Sequence, residues 1–152
     1  VAEAGLTRLG FLLSEEAKDE ASRSAMKAET LMPAIDPAMA RWIKDAEVQR
    51  KGCAALRGLA ITKGQIAAMS DGGAGKLLVE CLKMHLKNAD LVLAGTAAVW
   101  EMSKAAGKLS PELSSLQSAG IIEVLQKIMV HHAWDQTLCG KVRVVLPFLA
   151  EE

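Results

Sequence analysis

The chain has 152 residues, which suits one compact domain or a short array of repeats. Its residues are 51% apolar and 24% charged, a balance that excludes an intrinsically disordered chain. Eighteen lysines and arginines offset eighteen aspartates and glutamates, so the basic excess of a general nucleic-acid binder is missing.

No apolar run approaches the roughly 20 residues of a membrane-spanning helix. Cys53, Cys81 and Cys139 are odd in number and widely spaced, which argues for a reducing compartment rather than a disulfide framework. The first residue is Val1, not Met. It is either a processed terminus, for example after loss of a transit peptide, or a cut in a longer chain. A soluble intracellular protein, cytoplasmic or organellar, is the expectation. There is no Tyr, there are two Phe, and no stretch alternates with period two. Ala, Leu, Lys, Glu and Met dominate, so the expected class is all-α.

Taken in chain order, residues 1–13 (VAEAGLTRLGFLL) place Val1, Gly5, Leu9 and Leu12 on one helical stripe. Residues 14–27 (SEEAKDEASRSAMK) mix charges and read as a solvated helix or a joining loop. A helix is expected over 36–44, with Asp36 as N-cap and Pro37 in the first turn. Residues 48–60 (VQRKGCAALRGLA) form the next helix, with Val48, Gly52, Leu56 and Leu59 on one stripe. A short helix follows over 65–70. A longer one opens at Gly73 and runs to about Leu86. The helix over 90–103 carries Leu91, Gly95, Val99 and Met102. After Ser110-Pro111 comes a short helix over 112–118, then one from Gly120 to His132. The last, over 136–150, carries Leu138, Val142, Leu146 and Leu149.

These stripes share the offsets 0, 4, 8 and 11 and recur at spacings of 47, 43 and 47 residues. Three of the four place glycine at the second position. A glycine costs up to ~1 kcal/mol against alanine inside a helix. Its recurrence at Gly5, Gly52 and Gly95 implies close approach by a neighbouring helix. Gly73-Ala-Gly-Lys-Leu-Leu and Gly120-Ile-Ile-Glu-Val-Leu also lie 47 apart. A period of 40–47 residues built from two or three helices is that of armadillo or HEAT arrays.

The stretch VQRKGCAALRGLA, followed by GQIAAMSDGGAGKLLVECL and NADLVLAGTAAVWEMS, resembles armadillo repeats, with the Gly-Cys variety common in protist and algal proteins. The resemblance is closest over 48–103 and looser over 118–150. It implies a right-handed α-solenoid of about three repeats, all in a single domain over 1–152. In that family the third helix of each repeat lines a peptide-binding groove. Here these helices lie near 1–13, 48–60, 90–103 and 136–150. At the groove's tryptophan position the chain has Ala54, Ala97 and Val144. At its asparagine position it has Gly58, Glu101 and Phe148. The asparagine ladder that clamps an extended peptide backbone in that family is therefore absent.

On the face opposite the stripe, Arg50 and Arg57 lie near Trp100, Glu101 and Phe148, a partner-binding candidate because Trp and Arg are enriched at hot spots. The alternative for Trp100 is burial between repeats. Trp42 and Trp134 precede third helices and read as structural. Cys81 and His85 are spaced i,i+4, but no third ligand completes a metal site. His85 and His132, 47 apart, are either paired surface ligands or one repeated loop position. Cys53 reads as a small buried side chain rather than a nucleophile. Asp71-Gly-Gly-Ala-Gly75 lacks the ending of a phosphate loop and reads as an inter-helix turn.

No catalytic constellation, cofactor or metal is expected. The expected function is a non-catalytic protein–protein interaction scaffold. The alternative is a structural or accessory subunit of a large multiprotein assembly, whether organellar, pigment–protein or cytoskeletal.

Overall fold

A computed structural model describes residues 28–150. The stripe at Val1, Gly5, Leu9 and Leu12 and the charged segment 14–27 lie outside them. The described residues form eight α-helices and one 3-10 turn, with no strand. They are α1 (Ala28–Arg41), α2 (Ala46–Leu59), α3 (Lys63–Asp71), α4 (Ala74–Met84) and α5 (Ala89–Ala106), then the 3-10 turn Pro111–Leu113, α6 (Ser114–Ala119), α7 (Ile121–His131) and α8 (Gln136–Leu149). The order of short helix, middle helix and long helix therefore occurs twice, after a middle and long pair.

Local chemistry sets the helix starts. Asp45, Asn88 and Asp135 stand at equivalent places before α2, α5 and α8. Each accepts backbone N–H groups from the first turn, Asp45 from Glu47 and Val48, Asn88 from Leu91 and Asp135 from Leu138. Thr62 does the same for α3 through the Gln65 N–H at 3.2 Å. Gly73 and Gly120 precede α4 and α7 with φ of 90° and 94°, left-handed values that disfavour a side chain. The glycine-rich stretch at Asp71 is thus the turn between a short and a middle helix, as its sequence suggests.

Helix α1 departs from the sequence reading. Asp36 is not an N-cap and Pro37 is not in a first turn. Both lie inside a helix that already contains Pro33 and ends at Arg41. Met32, Ile35 and Met39 lie on one face and are all buried. Burial of that face outweighs the backbone cost of the two prolines, a tertiary gain that local propensity does not report.

The long helices pack side by side, α2 on α5 and α5 on α8, and the middle helices do the same, α1 on α4 and α4 on α7. The stripe residues Val48, Leu56, Leu59, Leu91, Val99, Met102, Leu138, Val142 and Leu149 form the core between them, and Leu146 is half-buried. In the first two of the three helix pairs, glycine admits a large neighbour. A Cβ on Gly52 would lie 2.5 Å from Met39 Sδ, and one on Gly95 would lie 2.6 Å from Leu82 Cδ2. Met39 and Leu82 occupy equivalent places in α1 and α4, so the same close approach is built twice.

Candidate functional site

The candidate face is the outer side of α2, α5 and α8. Stripe residues turn inward, which leaves Arg50, Ala54 and Arg57 exposed on α2. On α5, Trp100 and Glu101 are half-buried and Lys104 is exposed. On α8, Val144 is half exposed and Phe148 half-buried.

Trp100 and Phe148 meet across α5 and α8, with ring centroids 5.1 Å apart and planes at 89°. This is the edge-to-face arrangement that aromatic quadrupoles favour. Lys104 Nζ lies 5.5 Å from the Trp100 ring centroid and 3.2 Å from Glu101 Oε1. The structure therefore joins Trp100, Glu101 and Phe148 of the sequence candidates and adds Lys104. The i,i+3 spacing of Glu101 and Lys104 is the sequence signal for that addition.

Arg50 is not directed toward the aromatics. Its guanidinium takes Glu47 in a two-pronged ion pair, at 3.1 and 2.9 Å. The pair lowers the Glu47 carboxyl below its ordinary range and raises Arg50, both through the shared hydrogen bonds. Arg57 is exposed about two turns further along α2, at the repeat position that Trp100 occupies on α5.

The remaining candidates are structural. Cys81 faces Cys53 with sulfurs 3.8 Å apart, both thiols buried and unoxidised. The hydrogen bond that Cys53 shares with Cys81, then burial, push the Cys53 thiol well above its ordinary range, which makes it a poor nucleophile. His85 Nε2 lies 2.7 Å from the Ile43 carbonyl oxygen, and His132 Nε2 lies 2.7 Å from that of Leu86. Each histidine is the C-cap of a middle helix and reaches the matching turn of the preceding unit. The pair at 47 residues is a repeated loop position. No group of three or more His, Cys, Asp or Glu side chains able to hold a metal occurs among the described residues.

A second recurring bond has no sequence signal. Gln49 Nε2 donates to the Met39 and Trp42 carbonyls at 3.0 and 2.9 Å. Cys139, at the equivalent place on α8, contacts the equivalent carbonyls of Met129 and His132 at 3.9 and 3.2 Å. Gln and Cys share no pattern that would reveal this.

No protein-family model, curated protein or solved structure matches the chain. Trp42 and Trp134 read as structural in the sequence, yet they are 42% and 76% exposed. No helix among the described residues is long and apolar enough to cross a membrane.

Proposed function

We propose that the chain is a right-handed α-solenoid of about three armadillo-like repeats that serves as a non-catalytic scaffold, binding a partner protein through the outer face of its long helices. The observation that carries this reading is the Trp100–Phe148 contact between successive long helices, with Lys104 against the indole. An aromatic pair shared by two helices, with a cation beside it, has the composition of an interface hot spot. The repeated turns, caps and glycine contacts support the repeat assignment, since each recurs at an equivalent position. Gly58 and Phe148 at the family's asparagine position support recognition of side chains rather than of an extended backbone.

The test is affinity purification of the native protein with its partners, beside an Arg57→Glu, Trp100→Ala variant. Loss of the co-purifying protein with unchanged circular dichroism is the expected result. Equal recovery of partners by both chains would reject the long-helix face. Half-exposed Val144 on α8 favours a second reading, a subunit of a larger assembly. Light scattering during size-exclusion chromatography separates the two, because a stable isolated monomer argues against an obligate subunit.

A further inference from the structure

The histidine bonds build a second surface, away from the long-helix face. His85 ties its turn to Ile43, and His132 ties its turn to Leu86. Three turns between middle and long helices are thereby fastened in a row along one edge of the molecule. Their outward positions are equivalent from unit to unit.

The first turn presents Ala40, Arg41 and Lys44, all exposed. The second presents Lys83, Met84 and Lys87 at the same three places. The third presents Val130, His131 and Trp134. None of these positions carries a carboxylate. Lys44, Lys83 and Lys87 make no ion pair with any described residue, and Arg41 lies 5.6 Å from the Trp42 ring. Most nearby acids are committed elsewhere. Asp45 and Asp135 accept helix N–H groups, and Glu47 holds Arg50. Glu80 and Asp90 are the exposed exceptions, Glu80 one turn before Lys83 near the end of α4 and Asp90 in the first turn of α5.

We propose that this edge is a peripheral docking surface for anionic phospholipid. Four exposed cations supply charge complementarity to a negative headgroup layer. Val130 and Trp134, 77% and 76% exposed, stand where apolar anchors would enter the interface. Indole rings favour the headgroup level, and lysine stems extend along apolar surface while the ammonium stays in water. A protein hot spot is instead a packed, desolvated pocket. Side chains this open, on the turn next to the cationic ones, suit a lipid surface better than an acidic protein. The edge lies apart from the long-helix face, so this proposal stands without the scaffold reading.

Vesicle sedimentation of the full chain tests it, using phosphatidylcholine alone and phosphatidylcholine mixed with phosphatidylserine. The chain is expected to sediment with the anionic vesicles, not the neutral ones, and to be released at high salt. Each lysine near the surface contributes about fivefold, so Lys44→Glu with Lys87→Glu should weaken binding by about 25-fold or more. Trp134→Ala should weaken it severalfold, while Arg57→Glu should leave it unchanged. Circular dichroism of each variant checks folding. No sedimentation with anionic vesicles, or equal sedimentation of the double lysine variant, would overturn the proposal. So would capture of an acidic protein by this edge without any vesicle binding.

Discussion

His132 Nε2 lies 2.7 Å from the carbonyl oxygen of Leu86, 46 residues earlier, and repeats the bond that His85 makes to Ile43. A carbonyl can only accept, so each imidazole carries its proton on Nε2. The bond couples adjacent units through a side chain that costs little entropy to hold, because His132 is already buried.

Replacing His132 by Ala should destabilise the protein by about 1–3 kcal/mol, the cost of leaving its partner carbonyl unsatisfied. His85→Ala should cost less, since His85 is only half-buried and water can replace part of the bond. Urea denaturation of the two variants checks the order.

Three glycine substitutions should separate packing from propensity. Gly95→Ala drives a Cβ into Leu82, and overpacking of about 1–3 kcal/mol should exceed the propensity gain. Gly52→Ala meets Met39 at both Sδ and Cγ, 2.5 and 2.6 Å from the added Cβ, so its cost should be at least as large. Gly140 in α8 has open space where a Cβ would stand, with nothing within 4 Å, so Gly140→Ala should stabilise by about 0.5–1 kcal/mol. Thermal or urea unfolding reads both sign and size.

At Gly120, φ is 94° and a Cβ would meet no atom within 4 Å. Gly120→Ala should therefore cost about 1–2 kcal/mol from backbone conformation alone. Gly120→Asn should cost less, because asparagine tolerates the left-handed region. The comparison of their unfolding midpoints isolates the backbone contribution.

The Cys53 thiol is raised well above its ordinary value by the Cys81 hydrogen bond, then by burial. The unfolded chain therefore loses this proton at lower pH than the folded one. Its contribution is complete below about pH 8.5, the unfolded thiol value, and falls as pH climbs toward the folded value. Stability measured from neutral to strongly alkaline pH should show that decline, with a shallower slope in Cys53→Ala. A thiol reagent at mild pH should label neither Cys53 nor Cys81 until the chain unfolds.

Much of the helical layout is legible in the sequence because helical periodicity and capping are local. The stripes at Val48, Leu91 and Leu138, the turns at Gly73 and Gly120, and the close approach at Gly52 and Gly95 all follow from residue spacing. The start of α1 is not legible, because Pro33 and Pro37 signal a boundary that burial of Met32, Ile35 and Met39 overrides. Of the candidate site, Trp100 and Phe148 are readable as single helix positions, but their contact requires two helices to be placed together. Arg50 shares their face by position and instead pairs with Glu47, one turn back on its own helix.

Propensity, caps and periodicity act within a few residues, so the order of residues alone fixes that the chain is helical, where most helices begin, and which face of each is apolar. Packing settles the rest: that His85 and His132 fasten successive turns, that Gln49 and Cys139 serve the same carbonyls, and that Trp134 stands in water. Those outcomes depend on contacts between residues far apart in the chain, and such contacts exist only once the helices have packed.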